Sequence, residues 1–130
     1  MTMMRTFITL LLMAAFVTAD AQEVMRKEKD GTYVVNTTTL APDVKGYIGA
    51  TPVEIYIKKN KIVKVLMLKC QETPKYVARI KNSFLPKFEG LKISKGTVPE
   101  VDGLTGATFT SNSVKENVFR GVNYYQQHKK

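Results

Sequence analysis

The stretch Asp102-Gly103-Leu104-Thr105-Gly106-Ala107-Thr108-Phe109-Thr110-Ser111 concentrates hydroxyls and small residues just ahead of an amphipathic run. Gly106 and Ala107 let a bulky group come close to the backbone. The unsatisfied N–H groups and positive dipole end of a following helix favour an anion placed just upstream. Thr108 stands at that spot. The same residues also suit an ordinary helix-capping turn, with Thr110 or Ser111 as the cap, and the local pattern is compatible with either role. A threonine hydroxyl is a poor nucleophile until a base or a metal activates it. The 130-residue chain has one histidine, His128, and one cysteine, Cys70. It therefore lacks an interior imidazole for Ser or Cys nucleophilic catalysis, an imidazole–thiolate cluster for zinc, and an internal disulfide. Thr108 accordingly reads as a group that is acted upon.

The elements that must position this stretch follow from the hydropathy pattern. Val34, Val35 and threonines 37 to 39 favour a first strand. Gly46-Tyr47-Ile48-Gly49 reads as a short extended piece. In Val53-Glu54-Ile55-Tyr56-Ile57-Lys58 apolar side chains alternate, a turn follows at Lys59-Asn60, and Ile62 to Leu68 is apolar on both faces apart from Lys64. A hairpin feeding a doubly covered central strand is the expectation. Pro74 suits a first helical turn, and Tyr76, Val77, Ile80 and Phe84 recur at helical spacing until Pro86. Residues 86 to 103 carry two prolines and three glycines and predict a long loop with one strand near Leu91 to Ile93. In the last helix Val114, Val118, Val122 and Tyr125 share a face, with Lys115, Glu116, Asn117 and Arg120 largely elsewhere. The predicted fold is α+β: a small antiparallel sheet with a hairpin, one short middle helix and a C-terminal helix.

Arg5 precedes thirteen residues, Phe7 to Ala19, without an ionisable side chain, and the run ends in Ala19-Asp20-Ala21. A charged lead, an apolar run shorter than a bilayer crossing and an A-x-A site read as a signal peptide over residues 1–21. Cleavage would leave Gln22 first, and no cysteine follows for lipid anchoring. Residues 22–31 are polar and read as a flexible lead-in, with order beginning near Thr32 and one domain over 32–130. The expected location is exported, in the periplasm or on the outer face of the cytoplasmic membrane. The net charge of +9 survives cleavage, because one basic and one acidic residue leave together. With export, that charge points to a solvated face or an acidic protein partner and away from nucleic acid.

The string Thr105-Gly106-Ala107-Thr108, with Asp102-Gly103 before it and Thr110-Ser111 after it, resembles the flavinylation motif of the FMN-binding domain family. That family includes the flavin subunits of the sodium-pumping NADH:quinone reductase and related membrane electron-transfer complexes. Gly46-Tyr47, the hairpin and Glu72-Thr73-Pro74 resemble the family in order and spacing, so the likeness runs from Gly46 to Tyr125. The resemblance implies FMN bound covalently through its phosphate to Thr108. It also implies a magnesium-dependent flavin transferase that takes FMN from FAD, and a membrane or extracytoplasmic redox partner. Thr105, Thr110 and Ser111 would meet the phosphate with Gly106 and Ala107, and Asp102 would present the loop or meet the transferase's metal, although turn formation explains Asp102 equally well. Glu72-Thr73 is either a flavin contact or simply a helix start. Three functions follow: an exported electron carrier, a binding module of the same fold that is never flavinylated, and a stand-alone flavoenzyme. A redox carrier or subunit fits so small a chain better than an enzyme, since little room remains for a substrate pocket beside the ring.

Overall fold

A computed structural model describes residues 23–94, 101–104 and 106–130. The expected signal peptide over 1–21 lies outside the described residues. Four strands, β1 (Met25–Lys27), β2 (Tyr33–Asn36), β3 (Val53–Lys58) and β4 (Lys61–Met67), form one antiparallel sheet in sequence order. Helix α1 (Pro74–Arg79) runs into a π-helical turn, Ile80–Phe84, and a 3₁₀ turn, Leu85–Phe88. Helix α2 (Thr108–His128) closes the chain over the sheet. The fold is α+β. No helix among the described residues is long and apolar enough to cross a membrane.

The hairpin forms where the alternation places it. Val53, Ile55 and Ile57 are fully buried while Glu54, Tyr56 and Lys58 are half-exposed. The two-residue turn takes Lys59 and Asn60 into positive φ, 53° and 59°, the twist that joins antiparallel strands most tightly. Asn60 also holds the far end of α2: its Oδ1 accepts hydrogen bonds from the Tyr125 hydroxyl at 2.6 Å and from Lys129 Nζ at 3.0 Å.

Several expectations are corrected. Strand β4 is an edge strand covered on one face only. A bulge at Val63, between the pairs Tyr56↔Lys64 and Ile57↔Ile62, resets its alternation. Ile62 and Val65 therefore point inward, and Val63 and Leu66 stay 47% and 41% exposed. Pairing starts before Thr32: polar Met25–Lys27 aligns with Tyr33–Val35, because backbone hydrogen bonds carry a strand whose side chains need little burial. Threonines 37 to 39 lie in the turn after β2. Near Leu91 to Ile93 the chain follows the hairpin turn through the bridge Lys61↔Lys92, and the described residues there form no strand. Pro86 does not end the middle helix, which narrows into the 3₁₀ turn through Phe88.

The core lies between one sheet face and the helices. Val35, Val53, Ile55, Ile57, Ile62 and Val65 meet Val114, Val118, Val122 and Tyr125 of α2, with Phe84 and Phe88 at the side. Asn117 belongs to this buried face, against the expectation that placed it elsewhere. Its Oδ1 accepts the Thr37 hydroxyl at 2.6 Å, and its Nδ2 donates to the Ser113 carbonyl at 2.9 Å and to Thr51 Oγ1 at 3.4 Å. Buried polar atoms are tolerable when each has a partner. Asn117→Leu, close in volume, removes these bonds and leaves hydroxyls behind. We expect it to cost about 1–3 kcal/mol, read as a lower urea midpoint with unchanged slope, and no loss of stability would contradict the role.

Candidate functional site

The site is assembled around the carboxylate of Glu72, which is 4% exposed. Oε1 accepts the Tyr47 N–H at 2.7 Å and the Thr110 hydroxyl at 2.8 Å. Oε2 accepts the N–H groups of Ile48 at 2.6 Å and Gly49 at 3.2 Å. Burial acts to raise the Glu72 carboxyl, but the Thr110 hydroxyl and the three backbone N–H groups outweigh it and hold the group below the usual glutamate range. The expected extended piece at 46–49 is thus a loop, closed by the bridge Lys45↔Ala50 and wrapped round a carboxylate. Gly46 is obligatory there: a β-carbon would collide with Glu72 Oε1 and come within 3.1 Å of the Thr110 Cα.

Helix α2 begins at Thr108. Ala107, its N-cap residue, supplies no side-chain cap, and the first helical bond runs from the Ser111 N–H to the Ala107 carbonyl at 2.9 Å. Capping by Thr110 or Ser111 is therefore corrected. Both lie buried in the first turn: Thr110 is committed to Glu72, and the Ser111 hydroxyl donates to the Thr108 carbonyl at 3.2 Å. The early N–H groups of any α-helix lack intrahelical acceptors, so this end is left as an electropositive surface beside Thr108. Gly106, just upstream, has φ +83°, a left-handed conformation that side chains resist.

Thr108 is exposed. It borders a cleft of about 280 Å³ lined by Tyr47, Tyr76, Gly106, Ala107, Thr108, Phe109 and Thr110. Tyr47 and Phe109 stand 67% and 66% exposed, their ring centroids 6.2 Å apart and their planes tilted by 42°. Two large aromatic rings held in water beside a hydroxyl form a surface on which a flat heterocycle can lie.

The structure thus brings together Gly106, Ala107, Thr108, Thr110 and Glu72 of the expected site residues, with Ser111 buried directly beneath. Thr73 is half-buried, and its carbonyl starts α1 by accepting the Val77 N–H at 3.0 Å, which is the helix-start reading. Asp102 is exposed at the flank, its carbonyl accepting Lys87 Nζ at 3.2 Å. Thr105 lies outside the described residues. Tyr47, Tyr76 and Phe109 are not among the site residues that the sequence offers. Phe109 carried a signal, an apolar ring inside a run of hydroxyls, whereas Tyr76 sat in a helical pattern that suggested only packing.

Because folded Glu72 titrates below its ordinary value of 4.5, the native state binds fewer protons. The stability it supplies is complete above that value and is lost as pH falls toward the folded pKa. Glu72→Gln should cost about 1–3 kcal/mol at neutral pH and flatten the acid limb of the melting-temperature profile below about pH 4.5. An unaltered acid limb in the variant would remove Glu72 from this role.

Comparison with known proteins agrees with the geometry. The family description "FMN-binding domain" matches residues 46–123, more than half of the chain, from the loop on Glu72 to the last turns of α2. No curated protein and no solved structure matches the chain significantly. With the matched segment spanning the carboxylate-held loop, the aromatic cleft and the helix that starts at Thr108, this chain belongs to the FMN-binding domain family.

Proposed function

We propose that the protein is an exported electron-transfer flavoprotein carrying FMN covalently on Thr108 through a phosphoester. Membership of the family supports the flavin. The observation that carries the attachment point is the fate of three neighbouring hydroxyls: Thr110 and Ser111 are buried and hydrogen-bonded, whereas Thr108 is exposed on a cleft at a helix start. The residues suit the group. The N–H groups at the start of α2 would face an anion, and Tyr47, Tyr76 and Phe109 offer apolar faces to a ring.

Loading is a group transfer by a separate, magnesium-dependent flavin transferase. The Thr108 Oγ attacks the flavin-side phosphorus of FAD, the diphosphate bridge breaks, AMP leaves with the bridging oxygen, and the hydroxyl proton passes to the transferase or to solvent. The net change is one FMN gained and one water lost. Bound FMN supplies reversible one- and two-electron chemistry, and the protein supplies orientation and surroundings. Charge on Glu72 fixes the loop carrying Tyr47 to the turn carrying Thr108, so both sides of the cleft keep their spacing. Residues 1–21 are the proposed export signal, and the redox partner is a membrane or extracytoplasmic protein.

The full chain made in a host with an extracytoplasmic flavin transferase should be yellow after denaturation. Its intact mass should correspond to residues 22–130 plus one FMN less one water. Thr108→Ala should abolish the added mass completely and Thr108→Ser should restore it in part. A wild-type chain of bare-peptide mass under these conditions would overturn the flavin reading and leave a non-flavinylated binding module.

A further inference from the structure

Three lysines stand in one row at the tip of the hairpin. Lys58 is opposite Lys61 across β3 and β4, and Lys61 faces Lys92 through the bridge that carries the chain past the turn. Residues directly opposite each other in antiparallel chains project on the same side, and like charges so placed repel. Asp30, 3.6 Å from Lys58 Nζ, relieves that lysine. Two further segments bring cations to the same end. Lys129 Nζ donates to Asn60 Oδ1 at 3.0 Å and lies 5.3 Å from the centroid of the Tyr125 ring. Tyr125 meets Tyr33 edge to face, and Lys27 Nζ lies 5.4 Å from the Tyr33 centroid. Among the described residues, Lys27, Lys59, Lys61, Lys92 and Lys129 are exposed and have no carboxylate within ion-pair reach. Glu89, exposed next to Gly90, flanks the cluster and leaves it strongly positive. The fold thus carries a repulsion that its own stability does not require.

We propose that this end of the molecule is a docking surface for an anionic lipid bilayer. The attraction of lysines to a negatively charged membrane sums over the charges near its surface and requires no pocket. A protein interface is built differently, on an apolar centre enriched in aromatic residues, Met and Arg and depleted in Lys. Of the exposed large apolar side chains, Tyr47, Ile48 and Phe109 belong to the loop and cleft beside Thr108, and Val63, at the bulge, is a small addition to the lysine row. All five cations are ammonium point charges, without the planar fork that reads a fixed acidic constellation. Contacts along α2 set this end apart from the cleft: the Thr51 and Ser113 hydroxyls meet near its start, Ile55 lies against Gly121, and Asn60 meets Tyr125. Thr108 and Tyr125 are about 25 Å apart along the helix axis at 1.5 Å per residue. Docked by the hairpin tip, the molecule holds the cleft on the side away from the lipid. This docking does not depend on a bound flavin.

Co-sedimentation of the chain purified from an exporting host tests this, with vesicles of phosphatidylcholine alone and of phosphatidylcholine with about one-third phosphatidylglycerol. The chain should partition onto the anionic vesicles at low salt and leave them as salt shortens the screening length. Lys61→Gln combined with Lys92→Gln should lower the partition coefficient about tenfold or more. Its melting temperature should stay the same or rise, because the facing charges are gone. Lys45→Gln combined with Lys75→Gln removes two exposed cations beside Tyr47 and Tyr76. That variant should stay within about twofold of wild type. Equal losses in the two double variants would overturn the proposal, since net charge alone would then be the cause. Equal binding to phosphatidylcholine alone would overturn it too. So would binding to soluble polyglutamate, at matched charge concentration, as tight as binding to the anionic vesicles, which would mark an acidic protein as the occupant. Inorganic phosphate should release no more chain than sodium chloride of the same ionic strength, and selective release would replace the lipid surface by a phosphate site.

Discussion

A carboxylate almost shut off from water must receive hydrogen bonds from the protein or give up its charge, and at Glu72 four donors meet that demand. Hydrogen bonds to a charged group contribute about 1.5–3 kcal/mol each. Four of them are enough to offset the several kcal/mol lost by taking one carboxylate out of water. The donors come from two places far apart in sequence, the loop before β3 and the first turn of α2, while Glu72 itself leads into α1. One negative charge therefore fixes three segments that the sheet would otherwise leave independent. The absence of a side chain at Gly46 follows from the same contact.

The anchor also sorts the hydroxyls of the motif. Thr110 turns toward Glu72, so it cannot cap the helix in which it sits. Ser111, one residue on, closes onto the Thr108 carbonyl. With Ala107 unable to cap, the electropositive helix end faces outward beside the exposed Thr108. The motif thus divides into residues that build the turn and one residue that the turn presents. That division is what supports the proposal of a modification at Thr108 rather than at its neighbours.

Those elements whose determinants are local were legible in the sequence. The alternation of Val53, Ile55 and Ile57, the tight turn at Lys59-Asn60 and the apolar stripe Val114, Val118, Val122 and Tyr125 all appear where their spacing put them. What was not legible depends on partners distant in the chain. Asn117 reads as a surface residue until Thr37 and Thr51, which flank the paired ends of β2 and β3, supply its hydrogen bonds. The bulge at Val63 divides an evenly apolar run into a buried face and an exposed one. Thr108, Thr110 and Ser111 are near-equivalent in local sequence, and only Glu72, more than thirty residues upstream, separates their roles.

The dimensions of the cleft bear on why a tether would be used. At about 280 Å³ it falls just below the roughly 300–1,000 Å³ of pockets that enclose most of a small ligand, and Tyr47 and Phe109 are themselves largely in water. A flavin lying there would stay partly exposed, and partial burial between two surface rings gives weak binding. Linking the phosphate to the chain makes occupancy intramolecular, with an effective concentration of order millimolar for a short linker, so retention no longer depends on enclosure. An open site also leaves a ring edge accessible to a protein partner. The net charge of +9 would suit the proposed partner if its surface were acidic, and encounter rates would then fall as salt rises. On the proposed attachment, weak enclosure and a permanent link would be two sides of one arrangement, in which a bond would hold the cofactor so that its face could remain open.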